Sequence, residues 1–71
     1  MTDIVALKQK MSDSGMTVVA ISNKSGILRE TLYNKLKGRG EFNASEMLSL
    51  SNVLGLTNDE RVAIFFAQEV E

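Results

Sequence analysis

Five glycines and no proline interrupt this chain, and no stretch between two breaks is longer than a helix of ordinary length. Three of the breaks are followed by a helix-start signal: Thr17 after Gly15, Asn43 with Glu46 after Gly40, and Thr57 with Glu60 after Gly55. The last two have the spacing of a capping box, in which each partner satisfies the other's free backbone donor. Such punctuation restricts the chain to short elements, and the apolar spacing decides of which kind.

Ile4, Leu7 and Met11 fall at i, i+3 and i+7 and predict a helix from about Asp3 to Ser14, ended by Gly15. Thr17 opens a second, short helix with Val18, Ile21 and the small Ser22 on its inner side. A third is expected from about Leu28 to Lys37, with Leu32 and Leu36 inward and "GRG" closing it. The fourth follows Asn43 and turns Met47, Leu48, Leu50 and Leu54 to the core. The fifth follows Thr57 and runs nearly to the end. Its "VAIFFA" segment, 62–67, could be a buried strand on propensity alone, but the cap before it and the lack of a partner strand make it a helix. That helix is apolar on two sides: Val62, Phe66 and Val70 are expected to face the core, and Ala63, Ile64 and Ala67 to face outward. The expected fold is therefore all-α, five helices in one domain spanning 1–71. A chain of 71 residues buries only roughly 60% of the surface its unfolded form exposes, so it must use its apolar residues well or gain stability from a partner.

The absence of cysteine and histidine excludes disulfides, a zinc site of the usual nitrogen and sulfur ligands, and cysteine- or histidine-based catalysis. Carboxylate pairs such as Glu41 with Glu46, or Asp59 with Glu60, are the remaining route to an enzyme, and a domain this small foresees no convergent polar pocket around them. Asp59 and Glu60 are explained by the first turn of a helix, where carboxylates meet the positive dipole end. No enzymatic activity and no cofactor are expected. "MTDIVALKQK" lacks a signal-peptide core, and the longest apolar run is far below the roughly 20 residues of a membrane span. A soluble, cytoplasmic protein is expected.

Charge is distributed unevenly. Lys24, Arg29, Lys35, Lys37 and Arg39 stand against Glu30 alone in residues 24–39, a local +4, so the remainder carries −5 in a chain of net charge −1. Binding to nucleic acid depends on the potential at the contacting face, not on the net charge. A short helix, a tight turn through Gly26 and a second helix rich in outward donors is the helix-turn-helix plan. Ser22 and Ser25 allow the two helices to approach, and Ile27 and Leu32 fill the angle between them. An ordinary helical hairpin would need the same glycine and leucines, but not the donors outside.

The segment "VVAISNKSGILRETLYNKLKG", 18–38, resembles the helix-turn-helix of the lambda repressor and Cro family, also called XRE, through its "KSGI…TLY…LKG" spacing. "EFNASEMLSLSNVLGLTNDERVAIFFA" resembles the second half of small Cro-like repressors from phages and prophages of Gram-positive bacteria, so the likeness runs from Leu7 to Ala67. It implies a small DNA-binding transcriptional regulator, usually a dimer on a palindromic operator and without enzymatic activity. Three positions depart from the family pattern. Ser22 replaces a common alanine, and its hydroxyl needs a partner such as a carbonyl one turn back. Leu28 stands where a serine often caps the recognition helix. Val18 replaces a polar residue that reaches a phosphate.

Base reading is assigned to Leu28, Arg29, Glu30, Tyr33 and Asn34, which share the outer side of the third helix. Arginine suits guanine, asparagine suits adenine, a carboxylate accepts from cytosine, and leucine packs on a thymine methyl. Phosphate positioning is assigned to Thr17, Lys24, Lys37 and Arg39. Lys35 is left out, its stem covering Leu36 and Leu32. Ala63, Ile64, Phe65 and Ala67 are assigned to a homodimer contact on the last helix. An alternative keeps the same stripe for another protein, the chain acting as an antirepressor or modulator that associates with a repressor.

Overall fold

The computed structural model describes residues 1–67 as five helices: α1 (Ile4–Asp13), α2 (Val18–Ser25), α3 (Arg29–Leu36), α4 (Ala44–Leu54) and α5 (Asn58–Phe65). No strand occurs among the described residues, and the all-helical expectation holds. Four of the helices open on a side-chain cap. Asp3, Thr17, Asn43 and Thr57 accept from the backbone N–H of Ala6, Ala20, Glu46 and Glu60, and the last two complete their capping boxes. Only α3 starts uncapped, with Leu28 at its N-cap.

α2 is the hub. It packs on α4 and α3, while α5 packs on α1 and α4. Ile21 of α2 and Leu32 of α3 are fully buried, with Leu7 of α1, Leu50 of α4 and Phe65 of α5 around them. Phe42, in the α3–α4 loop, meets the Phe65 ring edge to face at 5.9 Å, the arrangement aromatic quadrupoles favour. The chain start is held on both sides: the Asp3 N–H donates to the Ile64 carbonyl at 2.6 Å, and the buried Thr2 hydroxyl donates to Glu41 at 3.3 Å. An ion pair between Lys10 and Glu60 continues the α1–α5 contact.

Two expectations about facing are corrected. Ile64 and Phe65 belong to the core, and Val62 and Phe66 lie more than half exposed, the reverse of the expected stripes. The backbone tie at Asp3, the Lys10–Glu60 pair and the Phe42 ring set the rotation of α5, and they turn Ile64 and Phe65 inward together. Val70 lies outside the described residues, and α5 ends at Phe65 instead of running nearly to the end of the chain. On α4, Leu48 is exposed at 53%, and Ser51 takes the inward position instead, its hydroxyl satisfied by the Met47 carbonyl at 2.7 Å.

No helix among the described residues is long and apolar enough to cross a membrane.

Candidate nucleic-acid interface

The junction between α2 and α3 is built by three residues. Gly26 ends α2 in the left-handed region at φ 76°, which a side chain would strain. Ile27 turns into the core at 6% exposure, and Leu28 swings out at 75%. Buried Ser22 locks the turn: its hydroxyl donates forward across it to the Ile27 carbonyl at 2.5 Å, not backward into its own helix as expected. The serine thereby ties the end of α2 to the start of α3.

α3 is equally well defined at its end. Gly38 takes φ 83°, its N–H donates to the Lys35 carbonyl, and the Arg39 N–H returns to the Asn34 carbonyl at 3.0 Å. This is the paired pattern of a Schellman stop, and it fixes the backbone of Arg39 to the helix it follows.

On this frame the outward side of α3 carries unspent polar groups. Arg29, Glu30 and Tyr33 are exposed, and Asn34 is half-buried. None of their side chains engages in a hydrogen bond or ion pair among the described residues, so Glu30 does not pair with Arg29 or Asn34. Lys37 and Arg39 are exposed beside them. Thr17, Tyr33 and Lys37 line one groove, where the start of α2 meets the end of α3. Leu28 and Arg29 border a second depression at the turn, with Val19 and Asn23. Lys24 is exposed, and its ammonium rests 3.5 Å from the Met16 sulfur.

Lys35 is withdrawn from this surface. It pairs with Glu46 at the start of α4, and its ammonium lies 5.7 Å from the centre of the Phe42 ring. Burial pushes the Glu46 carboxyl up, but the Lys35 hydrogen bond, the Asn43 N–H and the ammonium charge outweigh it and hold it below the ordinary 4.5. Glu60 is lowered to about 2 by its hydrogen bond from Lys10 and by the Thr57 N–H. Both carboxylates thus serve caps and helix-to-helix ties. No group of three or more acidic residues is arranged to hold a metal among the described residues.

One basic residue that sequence reasoning passed over joins the interface. Lys8 of α1 lines the same groove as Thr17, Tyr33 and Lys37. The signal was faint: Lys8 stands three residues before Met11 and four before Ser12, one helical turn, so it shares the side of α1 that borders the groove.

The stripe assigned to a dimer contact is not assembled as expected. Ala63 is exposed and Ala67 half-buried, but Ile64 and Phe65 are 3% and 1% exposed and hold the core. The large apolar side chains exposed here are Val62 of α5 and Phe66 at its C-cap.

No protein-family model, curated protein or solved structure matches the chain.

Proposed function

We propose that the protein is a sequence-specific DNA-binding regulator of the Cro and repressor class, with α2 and α3 acting as a helix-turn-helix and α3 as its recognition helix. The observation that carries the reading is the outer side of α3. Arg29, Glu30, Tyr33 and Asn34 stand there with side-chain hydrogen-bonding capacity unused, on a helix anchored from within by Leu32 and Leu36. Leu28, Arg29, Glu30, Tyr33 and Asn34 read base edges in the major groove. Lys24, Lys37, Arg39 and the Thr17 end of α2 hold phosphates, and Lys8 adds a fifth phosphate group from α1. The acidic remainder limits non-specific affinity.

Two copies join through the exposed Val62 and Phe66 of α5, placing two recognition helices about 34 Å apart, one DNA turn. A protein-binding modulator of a repressor is the second reading, drawn from the same exposed pair.

The test is capture of fragments from the genome that encodes the chain. Enrichment of one or a few intergenic fragments supports the regulator. Uniform recovery of all fragments, or of none, contradicts it.

A further inference from the structure

We propose that the groove between the second half of α1, the start of α2 and the end of α3 binds a small anionic amphiphile, an aliphatic chain bearing one carboxylate, and that this occupant competes with DNA. The groove encloses about 470 Å³, inside the roughly 300–1,000 Å³ typical of small-molecule sites. Its floor is apolar: Met11, Met16, Val18 and Leu36 supply it, and unbranched thioethers adapt readily to a flexible chain.

The rim is cationic. Lys8 and Lys37 line the groove and have no carboxylate partner among the described residues, whereas Lys10 and Lys35 are each neutralised by a glutamate. Lys24 adds a third ammonium at the Met16 sulfur, again without a carboxylate. The fold thus spends two of its lysines on internal pairs and leaves three around one apolar floor. A bare inorganic anion would leave that floor wet, and a neutral or cationic chain would leave the ammonium groups uncompensated. A ligand with both an aliphatic body and a negative end matches both parts, and the lysine stems can lie along the body.

Competition follows from shared residues, because Thr17, Tyr33 and Lys37 belong both to the groove and to the proposed DNA surface. This second half of the proposal rests on the DNA reading; the binding itself does not.

The experiment titrates the isotope-labelled full chain with sodium octanoate below its micelle concentration, with octanol and octylammonium alongside, and follows backbone amide shifts. The expected result is saturable movement at Ser12, Met16, Val18 and Lys37, with octanoate binding about tenfold tighter than octanol. Lys8→Gln weakens octanoate about 1.5-fold to fivefold, the worth of one exposed ionic contact, and leaves octanol unchanged. Ser12→Trp, made at an exposed groove position, blocks both ligands while the amide spectrum stays folded. Absence of saturation, movement centred on Val62 and Phe66, equal affinity for octanoate and octanol, or indifference to Lys8→Gln overturns the site. Octanoate is then added to the DNA complex of the wild-type chain, where it raises the apparent Kd more than octanol does at the same concentration. Groove binding with unchanged DNA affinity overturns the competition. Groove binding by a chain that holds no DNA leaves the site standing and removes the regulator reading instead.

Discussion

Leu28 occupies the N-cap of α3 with no side-chain hydrogen bond to the first turn and with three quarters of its surface in water. A serine there could accept from the Thr31 N–H, and Leu28→Ser is expected to stabilise the chain by about 0.5–1 kcal/mol in denaturant unfolding. The same change removes the apolar contact proposed for a thymine methyl, so affinity should fall at sites with a T·A pair under that position. A variant both less stable and unchanged on DNA would count against both roles. Arg29→Ala should cost about 1–3 kcal/mol on the cognate site and relax specificity, read by competition titration with single-base variants. Lys37→Ala should instead weaken all sequences alike and reduce the salt slope by about one unit. Equal losses on every sequence for Arg29→Ala would move it to the phosphate group.

Among the elements, the α2–α3 turn and the α3–α4 link decide how the outer side of α3 is held. Ser22→Ala removes the buried hydroxyl that bridges the turn and should cost about 1 kcal/mol of stability, measured in urea. Glu46 and Glu60 each combine a capping box with an inter-helix ion pair, and both have carboxyls held below 4.5 in the fold. A carboxyl depressed in the folded state lends stability above its unfolded pKa and loses it as pH falls through the folded one. Stability should therefore decline from about pH 4.5 downward, toward about 2 for Glu60. Glu46→Gln should flatten that decline in a pH series of thermal unfolding, and an unchanged profile would show that the pair is screened.

Helix number, the Thr17, Asn43 and Thr57 caps and the glycine stops could be read in the sequence because they are local: a threonine or asparagine and a glutamate three residues on carry their own geometry. The outward donors of α3 were legible for the same reason, since Leu32 and Leu36 alone orient that helix. The rotation of α5 was not, because Val62 with Phe66 and Ile64 with Phe65 are both credible apolar faces. Contacts distant in sequence, from Asp3, Lys10 and Phe42, choose between them. Lys35 escaped for the same reason, its partners Phe42 and Glu46 lying beyond the turn.

For the molecule as a whole, large apolar side chains are exposed on several elements, Val5 on α1, Val19 on α2, Leu28 at the start of α3 and Leu48 on α4 as well as those of the last helix. Free cations gather at Lys8, Lys24, Arg29, Lys37 and Arg39 on α1 to α3 and the loop after it, and α5 exposes Val62 and Phe66. The proposed function uses the cations of α1 to α3 for DNA and Val62 with Phe66 for a second copy. Val62→Glu sits on an exposed position and should leave monomer stability within about 0.5 kcal/mol, while abolishing the dimer in sedimentation and steeply weakening binding to a palindromic site. A wild-type chain that stays monomeric at all concentrations, free and on DNA, would remove the dimer. The central claim, that the outer side of α3 reads DNA sequence, is tested most directly by anisotropy titration of a captured fragment beside a scrambled one, at two salt concentrations, with wild type and Arg29→Ala. The expected result is tight, salt-sensitive and fragment-selective binding whose selectivity collapses in the variant. Weak binding that does not distinguish the two fragments, or selectivity that survives the loss of Arg29, would contradict it.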